Sequence, residues 1–296
     1  MTDYLVAMAT LWGFYALLAL GLNLQWGISG LVNFGLVAFF AVGAYTSALL
    51  AFAGAPFLIG LAAAVGAAAL LGLLVALSTA RLREDYLAVV TLGAAEIVRL
   101  VILNEVWLTE GARGLPGIPR PFHDRFAGSY DLFYLAVVLA AVGTGFLLVE
   151  ALRCSPVGRV LRAIREDADV AAVAGKPVLA FKLQAFLLGS AIAGGAGSLY
   201  AHYLTFLSPD QFDSTVTIYV WIAVIVGGSG NNKGALVGAL ILMGLLEGTR
   251  FLKDLLPAIS GVRLAALRLM FVGILLIGFM MFRPEGMWKE EKQRPA

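Results

Sequence analysis

Only a few side chains in this sequence have the types and spacing that covalent catalysis requires. Ser29 and Ser229 each lie in a Gly-x-Ser-Gly motif and are the candidate nucleophiles. A serine nucleophile needs a base within hydrogen-bond reach. The two histidines are His123, in a polar loop, and His202, at the end of an apolar segment. Lys233 follows Ser229 too closely to act as its base. An intramembrane serine protease is therefore kept only as an alternative.

No stretch of the sequence has the pattern of a phosphate-binding loop. The motif Gly-x-x-x-x-Gly-Lys-Ser/Thr is found neither in the glycine-rich residues 227–238 nor elsewhere in the chain. Cys154 is the single cysteine, so the sequence contains neither a pair for an internal disulfide nor a cysteine cluster for a metal. We therefore expect a protein that is not an enzyme and has no metal or other cofactor of its own. Any energy from ATP must then enter through a partner.

Two opposite charges lie within a stretch that is otherwise apolar. Glu96 and Arg99 are three residues apart, so on a helix they share one face and can pair. Charged groups inside a membrane usually face the interior of a helix bundle. The pair is predicted either to line the pathway of a transporter or to orient its helix, and the cost of burying charge favours orientation. A secondary transporter, the second alternative, would need an acidic or histidine relay, for which only Glu96 and Glu247 are available.

The composition predicts the environment in which these groups lie. Of the 296 residues, 60% are hydrophobic and 14% are charged, whereas a soluble domain has about 25% charged residues. Residues 4–80 contain no Asp, Glu, Lys or Arg. Because a helix needs about 20 residues to cross the hydrocarbon core, this run predicts about three crossings. The formal net charge of +2 does not favour nucleic-acid binding. We therefore predict an all-α polytopic membrane protein whose surroundings are lipid.

Turn signals between the apolar runs divide the chain into eight or nine predicted transmembrane helices. The runs are residues 5–25, 28–53, 56–80, 86–103, 132–149, 179–200, 218–228, 235–252 and 264–282. Two glycine-rich stretches, at residues 30–40 and 227–238, are predicted to be broken or re-entrant segments. The second stretch contains Gly227, Gly228, Gly230, Gly234 and Gly238. These glycines are consistent with a broken helix near a pathway and equally with close helix packing.

Basic residues predict which loops face the cytoplasm. The loop at residues 151–177 is the richest in them, with Arg153, Arg159, Arg162, Arg165 and Lys176. We therefore place it on the cytoplasmic side of a bacterial or archaeal plasma membrane, together with residues 81–83 and 283–294. The N-terminus and residues 105–131 are then predicted to lie outside.

The arginine-rich loop is predicted to contain two short helices. Ser155 and Pro156 suit the N-cap and first position of one helix. A second helix at residues 169–174 would end at Gly175, with Pro177 shortly after it. Apolar and charged residues alternate at helical spacing in the first helix. Such an amphipathic unit either lies on the lipid surface or docks into a groove of a partner protein, and the residues alone favour neither.

Several blocks of this sequence together resemble a known family. The loop reads GRVLRAIRED at residues 158–167 and AAVAG at residues 171–175. Further blocks are LNLQWGISGLVNFGLVAFFAVGAYT at 22–46, DYLAVVTLGAAEIVRL at 85–100, TEGARGLPGIP at 109–119 and GGSGNNKGALVGA at 227–239. Taken together, and in their order along the chain, these blocks are similar to the permeases of branched-chain amino acid ABC importers. The chain length and the blocks at residues 85–100 and 109–119 resemble the M-type permease more than its H-type partner.

This resemblance implies a set of partners and a role for the loop. A single transmembrane permease domain, residues 1–296, would pair with a second permease as a heterodimer above two cytoplasmic ATP-binding subunits. An extracytoplasmic solute-binding protein would deliver branched-chain or related amino acids, and ATP would be bound by the partner subunits. The loop at residues 151–178 would insert into an ATPase groove. Its implied coupling residues are Gly158, Arg159, Leu161, Arg162, Ala163, Ile164, Arg165, Glu166, Asp167 and Gly175.

Helical spacing places residues of this loop in two predicted sets. The set expected to be buried against the ATPase is Val160, Leu161, Ala163 and Ile164. The set expected on the rim of that contact is Arg162, Arg165, Glu166 and Asp167. A few buried apolar side chains surrounded by charged ones are typical of the residues that dominate an interface.

Overall fold

The computed structural model describes residues 2–79, 84–123, 128–255, 261–283 and 285–290, and these form an almost wholly helical protein. The helices are α1 (Thr2–Leu22), α2 (Leu36–Phe52), α3 (Phe57–Thr79), α4 (Glu84–Asn104), α5 (Val106–Thr109), α6 (Tyr130–Cys154), α7 (Pro156–Glu166), α8 (Ala168–Val173), α9 (Val178–Leu204), α10 (Ser214–Gly227), α11 (Asn232–Leu255) and α12 (Gly261–Phe282). Short 3-10 turns occur at Gly111–Arg113 and Pro209–Phe212. The predicted all-α class is confirmed.

Among the residues that the structure describes, five helices are long and apolar enough to cross a membrane. They are α3, α6, α9, the Tyr86–Asn104 part of α4, and α1 together with the π-helical turn that extends it to Ile28. Three apolar helical stretches are shorter, at Leu36–Phe52, Ser214–Gly227 and Leu269–Phe282. Many apolar side chains on α3, α4, α6 and α12 remain exposed, as expected of surfaces that face lipid. The protein is therefore a polytopic membrane protein, while eight or nine crossings stays a prediction.

Helix α9 lies at the centre of the bundle, packed against α1, α2 and α3. Small residues permit this close packing. Gly43 of α2 lies against the backbone of Gly194, and Gly197 lies against the backbone of Phe40, so neither glycine has room for a Cβ atom. The buried Tyr134 on α6 donates a 2.5 Å hydrogen bond to the carbonyl of Leu199. Close approach through small residues is a common way for membrane helices to gain van der Waals contact.

The two ends of α9 define two ends of the bundle. The arginine-rich end carries residues 155–178, which precede α9 and include its first residue. At the other end, the strands β1 (Leu115–Pro116) and β2 (Phe206–Leu207) pair antiparallel. The amide of Ile118 donates to the carbonyl of Thr205 over 3.1 Å, which continues this pairing by one contact. We call this second end the strand end.

Candidate functional site

The path of the chain between α1 and α2 is the first unusual feature of the bundle. After α1 the chain forms a π-helical turn, Asn23–Ile28, and then runs without regular structure through residues 29–35. Gly30 takes a φ of 75°, in the left-handed region that favours glycine. The predicted break at residues 30–40 is therefore confirmed for residues 30–35, whereas residues 36–40 are helical.

The π-helical turn and the irregular residues after it, residues 23–35, are here called the first break, and buried amide side chains satisfy its polar groups. Gln25 donates through Nε2 to the carbonyl of Phe186 over 2.9 Å. Asn33 donates through Nδ2 to Oε1 of Gln25 over 2.7 Å, and its own backbone carbonyl accepts from Trp221 Nε1 over 2.9 Å. Both amide side chains are fully buried. Because unpaired polar groups are costly at membrane depth, these bonds allow a non-helical segment inside the bundle.

Two threonines on neighbouring helices hold the start of α2. The amide of Phe34 donates to Oγ1 of Thr91 on α4 over 3.0 Å. The amide of Val37 donates to Oγ1 of Thr217 on α10 over 3.1 Å. In addition, the ring of Phe34 stacks on Trp221 with centroids 4.8 Å apart. The first break therefore connects α4, α9 and α10.

A second break, residues 228–231, separates α10 from α11. Gly228 and Gly230 adopt positive φ values of 113° and 79°. Gly227 and Gly234 lie against each other's backbone carbonyls, and Gly238 lies against the carbonyl of Ala223. Both structural features expected of this stretch, a helix break and close helix packing, are therefore present. Whether these glycines lie beside a transport pathway stays a prediction.

A chain of polar side chains connects the two breaks. Asn23 accepts through Oδ1 from the amide of Gly230 over 2.8 Å, and its Nδ2 donates to Asn232 Oδ1 over 2.8 Å. Asn232 donates to Oε2 of Glu150 over 2.8 Å, and Glu150 pairs with Arg153 at 2.5 Å. None of the three side chains Asn23, Glu150 and Asn232 was predicted from the sequence. The sequence does contain a signal for them, because each is an amide or carboxylate side chain beside a long apolar run.

The arginine-rich loop folds as its capping residues predict. Ser155 accepts through its side chain from the amide of Gly158 over 3.3 Å and is followed by Pro156 at the first helical position. Asp167 ends α7 and caps α8, accepting from the amides of residues 169 and 170 over 3.0 Å. Gly175 follows α8 with a φ of 77°. The second helix begins and ends one residue earlier than predicted, at Ala168–Val173.

The predicted exposed face of α7 requires correction. Leu161 and Ile164 are 0% and 3% exposed because they pack against this chain itself, so they are not available to a partner. Arg162 turns inward as well, with Nη2 at 3.5 Å from the carbonyl of Arg153. Arg165 also points into the protein and donates to the carbonyl of Gly27 and to the carboxylate of Glu290. These two arginines therefore do not form an exposed rim.

The other face of α7 forms an open groove with α8, which we call the α7–α8 groove. Its volume is about 490 Å³. Apolar and charged residues share its lining, including Arg159, Val160, Ala163, Glu166, Asp167, Val170 and Lys176. Beside it on α8, Val173 is 90% exposed. The groove therefore combines an apolar floor with charged edges, and Leu161 and Ile164 attach it to the bundle.

The family model described as branched-chain amino acid transport system / permease component matches residues 4–280. The chain belongs to this permease family. No solved structure matches the chain.

Individual relatives agree with the family. The permease is 34% identical to the high-affinity branched-chain amino acid transport system permease protein LivM of Escherichia coli K12, over 95% of this chain and 69% of the relative. It is 29% identical to the probable permease protein LivM of Methanocaldococcus jannaschii, over 97% and 94% of the two chains. A LivH permease protein of Salmonella typhimurium is 26% identical over 79% and 80%. The higher identities to the LivM proteins confirm the resemblance to the M-type permease.

The permease does not bring its histidines to the candidate serine nucleophiles. Ser29 lies at the arginine-rich end and donates to the carbonyl of Gln25 over 2.5 Å. His202 lies at the strand end, 3.0 Å from Ser47 Oγ through Nε2 and 2.8 Å from the carbonyl of Pro119 through Nδ1. His123 packs against the ring of Tyr130, at the same end. The geometry therefore gives no support to a serine protease that uses Ser29 or Ser229 as its nucleophile.

Glu96 and Arg99 of the permease form the predicted pair. Arg99 donates through Nε and Nη2 to the two carboxylate oxygens over 2.9 and 2.5 Å. The side chains are 43% and 24% exposed, so the pair lies on the surface of α4 and is not enclosed within the bundle. Nearby Asp213 caps α10, and its pKa lies below the ordinary value because Thr215 donates hydrogen bonds to its carboxylate and Arg99 adds a favourable charge.

Proposed function

We propose that this permease is the membrane subunit of an ATP-driven importer for branched-chain or related amino acids. The relatives whose names describe branched-chain amino acid transport support the substrate class. The observation that carries the coupling role is the α7–α8 groove, an exposed amphipathic surface attached to a bundle with broken helices. A second permease would complete the membrane part, two ATP-binding subunits would bind at the arginine-rich end, and a solute-binding protein would bind at the strand end.

The α7–α8 groove suits a docking surface better than a surface that rests on lipid. Val160, Ala163 and Val170 provide an apolar floor, while charged residues of both signs surround it. A helix that lies on a membrane presents a broad apolar face to the acyl chains. Here the larger apolar residues of α7, Leu161 and Ile164, face the protein instead. A partner would therefore contact a small apolar patch with a charged rim, as is usual for an interface.

In this proposal the loop and the bundle move together. Leu161 and Ile164 hold α7 against the chain, so a force on the groove is transmitted to the bundle and does not simply bend the loop. The two breaks provide positions at which the helices can change direction. Hinges are usually a few loop or element-terminal residues that absorb the change in backbone angles, and both breaks consist of such residues. ATP-driven closure of the partner subunits would then switch the access of the pathway from one side to the other.

The experiment places a charge in the α7–α8 groove and on a control surface. Ala163→Asp would bury an unpaired carboxylate under a docked partner, which costs about 1–3 kcal/mol or more. We expect this variant to insert and accumulate normally but to lose co-purification of the ATP-binding subunits and amino-acid uptake. Ala172→Asp adds the same charge at an exposed position of α8 and should keep both. Normal association and uptake in Ala163→Asp would contradict the proposed docking surface.

A further inference from the structure

Residues 285–290, here called the tail segment, bind to the end of α10 through their backbone. The amide of Met287 donates to the carbonyl of Val226 and that of Trp288 donates to the carbonyl of Gly227, both over 3.0 Å. These two carbonyls lie in the last turn of α10, where a helix has no amides of its own left to satisfy them. The tail segment therefore caps α10 at the second break.

The fit between the tail segment and the second break depends on close backbone contact. Gly228 lies against the carbonyl of Trp288, and Gly286 lies against the backbone of Gly228, with no room for a Cβ atom at either glycine. Both glycines have positive φ values, 113° and 71°. Asn231 adds a side-chain bond, since its Nδ2 donates to the carbonyl of Lys289 over 2.9 Å. The contact is therefore specific to this backbone shape.

Arg165 connects the tail segment to the arginine-rich loop and to the first break. Its Nη2 donates to Oε2 of Glu290 over 2.7 Å, and its Nη1 donates to the carbonyl of Gly27. Gly30 leaves space for the stem of this arginine. Because an arginine holds its donors in a rigid planar fork, it fixes the relative positions of the groups that it binds. One guanidinium thus joins α7, the π-helical turn after α1, and the tail segment.

We propose that Arg165 and the tail segment together form a mechanical link through which movement of α7 reaches both helix breaks, the first through Gly27 and the second through Glu290, with Arg165 and Glu290 as its positioning residues. The inference rests on the proposed function in one respect, namely that α7 moves with an ATP-binding partner. Along the chain, α7 is joined to α6 through Ser155. The Arg165–Glu290 pair adds a connection to α10 through the tail segment, and the bond from Arg165 to Gly27 adds one to the π-helical turn after α1.

The functional test compares Glu290→Gln and Arg165→Gln with Lys289→Gln in the complete importer reconstituted into lipid vesicles. Lys289 belongs to the same segment, but its pair with Glu285 is 79% and 63% exposed, so its loss should have little effect. We expect each of the first two variants to lower amino-acid uptake about tenfold while ATPase association and ATP hydrolysis are retained. Lys289→Gln should transport like the unmodified protein. Uptake within about twofold of normal in both Glu290→Gln and Arg165→Gln would overturn the inference.

A spectroscopic measurement tests the link without transport. A nitroxide attached at Lys289→Cys, in a Cys154→Ser background, lies at an exposed position whose backbone carbonyl is held by Asn231, so its mobility should increase when Glu290→Gln is added. An unchanged spectrum would overturn the inference, and so would loss of ATPase association in Glu290→Gln, since the tail would then support the docking surface itself. Failure of the proposed function is distinguishable from this, because it is read from Ala163→Asp, which leaves the tail segment untouched.

Discussion

The amide network at the first break leads to a quantitative prediction for Asn33→Ala. The Asn33 side chain donates to Gln25 Oε1 over 2.7 Å and accepts from the amide of Gly35 over 2.8 Å. Truncation therefore leaves Gln25 Oε1 and the amide of Gly35 without these partners. Each unsatisfied group lowers the free energy of unfolding by about 1–3 kcal/mol. Hydrogen bonds between membrane helices average about 0.6 kcal/mol and reach about 1.7 kcal/mol, because the unfolded chain also finds partners. We therefore expect Asn33→Ala to lower the free energy of unfolding by about 2 kcal/mol, near the lower end of the summed cost of the two groups.

Unfolding of the purified permease in mixed micelles with increasing denaturing detergent would measure this loss. Tryptophan fluorescence is a suitable signal because Trp221 donates to the carbonyl of Asn33. The ring centroids of Trp221 and Trp26 are 4.5 Å apart. Asn104→Ala is the matched control, since Asn104 is exposed and bonds only the carbonyl of Leu100 among the contacts that the structure describes.

A double-mutant cycle separates the pair from its surroundings. Gln25→Ala and Asn33→Ala each strand the other side chain, so the double variant should cost about 1 kcal/mol less than the sum of the single changes. Additive costs would refute the direct pairing of the two amides. A loss below about 0.5 kcal/mol in Asn33→Ala, equal to that of Asn104→Ala, would refute the role assigned to the network.

Three further predictions concern packing, charge and orientation. Gly43→Val should abolish folding to a monodisperse protein because the backbone of Gly194 occupies the space of the new side chain, whereas Gly66→Val, in open space, should be tolerated in the same chromatographic assay. Glu96→Ala should lower uptake more than the double change with Arg99→Ala, since the single change strands a charge; additive losses would contradict this. The exposed Cys154 should react with an impermeant thiol reagent in inverted vesicles and not in intact cells, and labelling from outside would reverse the predicted orientation.

The helical membrane class and the local shape of the arginine-rich loop could be predicted from the sequence. Long runs without charge predict helices that cross lipid, since length and hydropathy are properties of one segment. The caps of α7 and α8 are equally local, because Ser155 and Asp167 bond amides two or three residues ahead. Gly175 ends α8 for the same kind of reason, through its own backbone conformation. Such features depend on neighbours along the chain and are readable from it.

The exposed face of α7 could not be predicted in this way. Helical spacing shows that Leu161 and Ile164 share an apolar face, but it does not show whether that face meets the same chain, a partner or lipid. The structure assigns it to the same chain, which leaves Val160 and Ala163 as the apolar groups of the groove. The direction in which an amphipathic helix faces depends on what the rest of the fold places beside it.

Sequence alone therefore determined that this protein spans a membrane and how its loop is capped, and it indicated two stretches within which the helix breaks lie. Only the tertiary structure decided which polar groups meet. Asn23 bonds Asn232, 209 positions away, and Arg165 bonds Glu290, 125 positions away. Such partners are selected because an unpaired polar group in a low-dielectric interior is costly, and only the packing of the helices determines which partner comes within reach.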